Sequence, residues 1–214
     1  MIAAARRILP ISAILLLCSC GGGGGGGASV PQPVISTGLK IFATNRTHAA
    51  DFLHDASLVG ATAIEKADNF CQTDAGRPDA NTYKAILVDG VSRDALVPLD
   101  WVLKPNTDYY QVDNNVLIGT TTSAALFGGN LDADIHDSFG VSGGNNSNTS
   151  TAWTGFADGV SFTTGSLTCD GWTYGINDGT YAPYGVSYGT DGTEWYTNGG
   201  QVCSLPSHLY CAEQ

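Results

Sequence analysis

Charge is scarce in this 214-residue chain, and positive charge scarcest: 14% of residues are charged, with 9 Lys+Arg against 20 Asp+Glu. A net charge of −11 repels a phosphate backbone, which argues against nucleic acid as a partner and against sulfated polysaccharide for the same reason. No Cys-x-x-Cys pair occurs, so the spacing that structural zinc prefers is missing. Past Gly38 there is no second membrane segment, internal repeat or linker, which leaves one domain able to bury about 70% of its chain surface. With so few charges and 28 glycines, long exposed helices are not expected; short strands and ordered loops are.

The first 27 residues are organised differently. Arg6-Arg7 precede an apolar stretch from Ile8 to Leu17, followed by Cys18-Ser19-Cys20 and an unbroken run of glycine from Gly21 to Gly27. A basic start and an apolar core of about ten residues read as a secretion signal, since a bilayer span needs roughly 20. Leu17-Cys18-Ser19-Cys20 resembles the lipobox of bacterial lipoproteins, in which the cysteine after a small residue is diacylated and becomes the new N-terminus. The resemblance implies lipidation of Cys20, because Cys18 follows bulky Leu17. The expected organisation is a signal peptide over 1–19, a lipidated Gly/Pro-rich tether over 20–38 and a domain over 39–214. Paired acyl chains hold a protein on a membrane stably. A Gly-rich coil of about 18 residues then spans roughly 20–25 Å on average. The expected address is the bacterial cell envelope, at the outer membrane or cell surface. Without residues 1–19 the balance is 7 Lys+Arg against 20 Asp+Glu, or −13.

Four cysteines follow the lipobox: Cys71, Cys169, Cys203 and Cys211. In an exported chain an even count reads as two disulfides, with three pairings open. Thr62-Ala63-Ile64-Glu65 matches a capping box, and Ile64, Ala67 and Cys71 share one helical face flanked by Phe70. Gly76 and Pro78 are the expected stop. Lys40–Thr44 and Tyr83–Val88 read as strands, the second ended by the Asp89-Gly90 turn. Trp101-Val102-Leu103 and Val116-Leu117-Ile118 are short apolar runs, and Thr120 to Thr151 is loop-like. Trp153-Thr154-Gly155, Leu167-Thr168-Cys169, Gly171-Trp172-Thr173 and His208–Gln214 are strand-like. A helix followed by short strands and long loops gives α+β.

Ala67-Asp68-x-x-Cys71, Trp153-Thr154-Gly155, Cys169-Asp170-Gly171-Trp172-Thr173 and the closing His208-Leu209-Tyr210-Cys211-Ala212-Glu213-Gln214 resemble the leptospiral endostatin-like lipoproteins, a group with a C-type-lectin-like domain. The resemblance covers Lys40 to Gln214. It implies a C-type-lectin-like fold in which Cys71 pairs with Cys211 and Cys169 with Cys203, and a surface adhesin role toward host matrix or complement regulators. The Glu-Pro-Asn, Gln-Pro-Asp and Trp-Asn-Asp tripeptides of calcium-dependent sugar binding are missing, and Trp195-Tyr196-Thr197-Asn198 is only an echo of the last. The histidines and arginines of endostatin's zinc and heparin sites have no counterparts at matching positions.

Asp132-Ala133-Asp134-Ile135-His136-Asp137 lies in the loop region. Asp132 and Asp134 are the candidates for a hard cation such as Ca²⁺, but the EF-hand glycine and glutamate are missing, so a solvated acidic loop is expected. Gly-x-Ser-x-Gly occurs at Gly140–Gly144 and Gly185–Gly189, both in turn-like surroundings unsuited to a nucleophile elbow, so no enzyme is expected. His48, His54, His136 and His208 show no metal or triad spacing, and His208 reads as a packed strand residue. Trp101, Trp153, Trp172 and Trp195 are either a sugar-stacking platform or core, with core expected for Trp153 and Trp172. Tyr174, Tyr181, Tyr184, Tyr188 and Tyr196 sit among Gly, Asn and Thr, the setting of adaptable recognition loops and of turn-rich structural loops alike. The expected function is a non-catalytic, lipid-anchored domain whose long loops engage a protein. The alternatives are a carbohydrate-binding module of the same fold and a structural envelope lipoprotein.

Overall fold

The closing strand is covered on both faces, and the sheet assembles on both its edges. A computed structural model of the chain describes residues 38–135, 151–157 and 168–214, which fall in one compact unit, Ser36–Gln214. The elements in order are β1 (Leu39–Ala43), α1 (Ala63–Gln72), β2 (Tyr83–Ala85), β3 (Asp108–Gln111), β4 (Leu117–Thr120) and β5 (Thr151–Trp153). The turn α2 (Cys169–Trp172), β6 (Tyr181–Val186), β7 (Gly200–Val202) and β8 (His208–Glu213) complete them. The strand order is β4-β3-β1-β8-β5-β6-β7, with β2 also paired to β8. One edge of β8 takes β1 antiparallel, Phe42 opposite Cys211. Its other edge takes β2 antiparallel, Ala85 opposite Cys211, and β5 parallel, Trp153 opposite Leu209. This is a small, sheet-rich α+β domain with a mixed sheet.

Alternation along β8 sorts the core into two layers. Leu209 and Cys211 join Phe42, Tyr83, Ala85 and the helix face. Tyr210 and Ala212 join Ile41, Ala43, Tyr109, Ile118 and Trp195 on the opposite side. That two-sided cover explains why Leu209 to Glu213 are buried without a break.

Helix α1 starts where the capping box places it. The Glu65 N–H donates to Thr62 Oγ1 at 3.1 Å, and the Thr62 N–H donates back to Glu65 Oε2 at 3.2 Å. Ala63, Ile64, Ala67, Phe70 and Cys71 are its buried face. It ends earlier than Gly76, at Thr73, whose N–H bonds the carbonyls of Asn69 and Cys71. Two disulfides close the frame: Cys71–Cys211, separated by 140 residues, and Cys169–Cys203, separated by 34.

Several segments differ from expectation. The strand from Tyr83 leaves the ladder after Ala85, yet its amides stay paired: Ile86 N–H bonds Tyr210 O at 2.8 Å and Val88 N–H bonds Thr154 O at 3.0 Å. Trp101-Val102-Leu103 is loop whose Val102 and Leu103 plug the second layer. Polar, Tyr-rich β3 and the Pro- and Gly-containing β6 are strands, as is short β7. The largest correction is at Cys169–Trp172, which is no strand but a left-handed turn with φ of 50°, 54°, 66° and 65°. An L-residue in that conformation costs about 1–2 kcal/mol. The turn is held by Thr168 Oγ1 accepting from Gly171 N–H, by the Cys169–Cys203 bond, and by the Trp172 indole donating to Val88 O at 2.9 Å. Among the described residues no helix is long and apolar enough to cross a membrane.

Candidate functional site

The segment from Asp89 to Asp100 combines an apolar surface with a fully bonded base. Its chain reversal is built by aspartates whose short side chains take the amides that follow them, the arrangement of an Asx turn. Asp89 Oδ1 accepts from the N–H groups of Val91, Ser92 and Arg93 at 2.9, 2.7 and 2.8 Å. Asp94 Oδ1 accepts from Leu96 and Val97 at 2.8 and 3.1 Å, and Asp94 N–H bonds Leu99 O.

Arg93 anchors this loop to the domain. Its side chain is fully buried, and all five guanidinium N–H donors have acceptors. Nη1 donates to Asp68 Oδ1 and to Ala85 O, both at 2.8 Å. Nη2 donates to Asp68 Oδ2 at 2.7 Å and Asp100 Oδ2 at 2.5 Å, while Nε reaches Asp100 Oδ2 at 3.1 Å. Asp68 comes from α1 and also accepts the Ala85 N–H, so helix, strand β2 and loop meet on one side chain. Lys84 adds a bond to Asp100 Oδ1 at 2.7 Å. Burial disfavours the Arg93 charge, but the bonds to Asp68 and Asp100 outweigh it and hold the guanidinium above its ordinary value. Burial would likewise raise Asp100; Lys84 and Arg93 prevail and lower it. Asp68 and Lys84 also line a shallow groove of about 450 Å³ with Val59, Asn69 and Tyr83.

Above this base the loop exposes aliphatic side chains: Val91 at 80%, Val97 at 70%, Leu96 at 48% and Leu99 at 46%. Ala95 between them is buried. A run of exposed aliphatics on one loop differs from the scattered apolar residues any surface carries. The arrangement offers a wedge for a hydrophobic cleft. Leu96-Val97-Pro98-Leu99 was visible in the sequence as an aliphatic run beside a turn, but nothing local marked it as exposed.

The residues singled out by motif are dispersed. Cys20 lies outside the described residues, as do His136, Asp137 and the first Gly-x-Ser-x-Gly. The second ends β6 and enters a turn, with Ser187 buried and no helix after it. Asp132 is exposed; Asp134 accepts from Gln111 Nε2 through both its carbonyl and Oδ1. Among the described residues no group of three or more His, Cys, Asp or Glu is placed to hold a metal.

The remaining candidates are built into the frame. Trp153, Trp172 and Trp195 are fully buried, which removes a four-tryptophan stacking platform. Trp101 is half-buried and donates to Ala125 O. His208 donates from Nδ1 to Thr44 O, and His48 uses its ring toward Ala49 O and Asp55 Oδ2. His54 bonds neighbouring Asp51. Tyr196 is buried; Tyr181 and Tyr184 lie on β6, Tyr188 is exposed, and Tyr174 bonds Asp178.

The motifs of the endostatin-like resemblance therefore have structural work. Asp68 receives Arg93, Trp153 Nε1 donates to His48 O at 2.9 Å, and Trp172 donates to Val88 O. Gly155, at φ +78°, passes so close to that carbonyl that a Cβ would sit 2.3 Å from Val88 O.

The chain belongs to the family described as "Protein of unknown function (DUF1554)", whose model matches residues 53–187. No curated protein and no solved structure matches it.

Proposed function

We propose that this DUF1554 member is a lipid-anchored, non-catalytic binding domain of the bacterial cell envelope, and that the Arg93-braced loop from Asp89 to Asp100 is its contact with a partner protein. The observation that carries this reading is the exposure of Val91, Leu96, Val97 and Leu99 on a loop whose amides and central arginine are already bonded. Fully burying an exposed aliphatic is worth roughly 1.5–3 kcal/mol, most of it available at Val91 and Val97 and about half at Leu96 and Leu99. A loop already rigid loses little conformational entropy when it docks. The charge of −13 left without residues 1–19 disfavours insertion into an anionic lipid surface, so a protein cleft is the better occupant.

The same reading takes the fold as C-type-lectin-like, supported by the helix-to-last-strand bridge Cys71–Cys211 and the inner bridge Cys169–Cys203. It takes Cys20 as the lipidated residue, and a surface adhesin toward host matrix or complement-type proteins as the role. The test presents the full chain on liposomes to a panel of matrix and complement proteins and to a glycan array. Binding to a protein, lost in Val97→Asp/Leu99→Asp, supports the reading. Binding to glycans alone, or protein binding indifferent to those substitutions, overturns it. Protease shaving of intact cells separates a surface role from an envelope-structural one, since a domain facing inward is protected.

A further inference from the structure

The peptide that opens the contact loop is held at both ends. Val88, the residue before the loop, is fully buried, and its N–H donates to Thr154 O at 3.0 Å. Its carbonyl accepts the Trp172 indole N–H at 2.9 Å. That carbonyl shares one planar peptide with the Asp89 N–H, which donates to Arg93 O at 3.2 Å. The indole therefore fixes the orientation of the plane from which the Asp89–Arg93 turn starts. Gly155 leaves no slack beside it, since a Cβ there would lie 2.3 Å from Val88 O and 2.9 Å from Trp172 Cζ2. The other stem is held by the same neighbourhood: Trp101 packs edge-to-face on Phe156 with ring centres 5.8 Å apart.

Trp172 reaches Val88 from a costly backbone. Asp170 and Gly171 tolerate the left-handed turn, whereas Cys169 and Trp172, at φ of 50° and 65°, resist it. The two residues that resist the turn are the two that tie it to the domain, Cys169 through its bond to Cys203 and Trp172 through its indole. Relaxation to negative φ would swing these Cβ atoms to another side of the chain and withdraw the indole from Val88 O.

We propose that the Cys169–Cys203 bond controls the contact loop: by locking the left-handed turn it keeps Trp172 on Val88 O, so the loop takes its contact shape only in a chain whose second disulfide has closed. The proposal rests on the reading of Asp89 to Asp100 as the contact loop and adds its regulation, with Trp172 as a positioning residue. Closure is thiol–disulfide exchange with an external disulfide oxidant. One cysteine thiolate attacks the oxidant's disulfide, and the second cysteine displaces it from the mixed disulfide. Two electrons pass to the oxidant, whose sulfurs leave carrying the two thiol protons. Both cysteines are fully buried in the folded domain, so exchange precedes closure of the turn and the device works once, toward presentation.

The test is hydrogen exchange of the full chain, reading the amides of Val88 and Arg93 against that of Thr44, which bonds Leu209 O and reports global stability. Cys169→Ala/Cys203→Ala speeds exchange at Val88 and Arg93 about tenfold relative to Thr44, the effect of one lost buried hydrogen bond. Trp172→Phe keeps both disulfides, removes the indole donor and gives the same change; adding it to the cysteine variant goes no further, because the bond is lost once. Trp153→Phe removes an equally buried indole that donates to His48 O, and leaves the ratio as in wild type. Cys169→Gly/Cys203→Ala recovers part of the protection, since glycine takes the left-handed conformation freely. An unaltered ratio in the alanine variant, additive effects in the combined one, or no recovery with glycine overturns the proposal. Should the alanine variant not fold, the tryptophan and glycine variants decide: equal effects of Trp172→Phe and Trp153→Phe, or a glycine variant as loose at Val88 as Trp172→Phe, overturn it. Free-chain exchange in the wild type overturns the contact-loop reading and this proposal with it, whereas a protected wild type with unresponsive variants overturns this proposal alone.

Discussion

Replacing Arg93 by methionine removes the clamp while keeping much of the side chain's volume. Arg93 is fully buried and supplies all five of its donors to Asp68, Asp100 and Ala85 O. Without it, the Asp68 carboxylate keeps the Ala85 N–H but loses its cation in a site where its side chain is 17% exposed. Breaking a buried pair by removing one partner costs about 3–5 kcal/mol. Asp100 is 44% exposed and retains Lys84, so its share is screened by water and the lower end, about 3 kcal/mol, applies. For a domain of this size that lowers the thermal midpoint by about 6–12 °C. Circular dichroism melts of wild type, Arg93→Met, Asp68→Leu and the double variant read both the cost and the coupling. The double variant should recover a large part of the loss, because no uncompensated carboxylate remains. A single-variant cost below about 1 kcal/mol, or additive losses in the cycle, would refute the claim that this ion pair braces the loop.

Other outcomes follow from the same geometry. Gly155→Ala destabilises by about 2 kcal/mol or more, since a Cβ there meets Val88 O at 2.3 Å in a backbone at φ +78°. Gly128→Ala, with Thr122 its one close neighbour at 3.2 Å, costs much less in the same thermal melts. Reducing Cys71–Cys211 is worth up to about 5 kcal/mol by chain entropy and Cys169–Cys203 about 4, so paired alanine variants should lose stability in that order. Asp55, lowered from 3.8 to about 2 by its Ser57 bond and then by His48, contributes stability that is complete above its unfolded value and lost as pH falls. Asp55→Asn should therefore flatten the decline in thermal midpoint between about pH 4 and 2, and an unchanged slope would remove Asp55 and its bonds to Ser57 and His48 as contributors.

What could be read from the sequence was what short-range chemistry dictates. Thr62 and Glu65 announced the helix start because the capping box is closed within four residues, and the spacing of Ile64, Ala67 and Cys71 gave its buried face. The two-sided burial of β8 matches its unbroken apolar Leu209–Ala212. Elements set by distant partners were not legible. Tyr, Pro and Gly in β6 suggested a loop, yet Pro183 joins the sheet through its carbonyl, which accepts from Thr154 and Gly155. The left-handed turn at Cys169–Trp172 carries only the Asp170-Gly171 dipeptide as a local signal; Cys169 and Trp172 disfavour that conformation, and the disulfide and the Trp172 bond impose it. The Arg93 clamp spans 25 residues to Asp68, beyond any pattern of spacing. Among the motif residues, Asp68, Trp153, Trp172 and His208 proved to be fasteners of the frame, and the exposed loop was not among the motifs.

Hydrogen exchange across the segment from Asp89 to Asp100 tests the central claim, a rigid apolar contact surface, most directly. The amides of Val91, Ser92, Arg93, Leu96 and Val97 each donate to an aspartate, so they should be protected although their side chains lie at the surface, and Arg93→Met should abolish that protection. Exchange at free-chain rates in the wild type would contradict the account, because a loop that is already loose cannot present Leu96, Val97 and Leu99 as a preformed wedge.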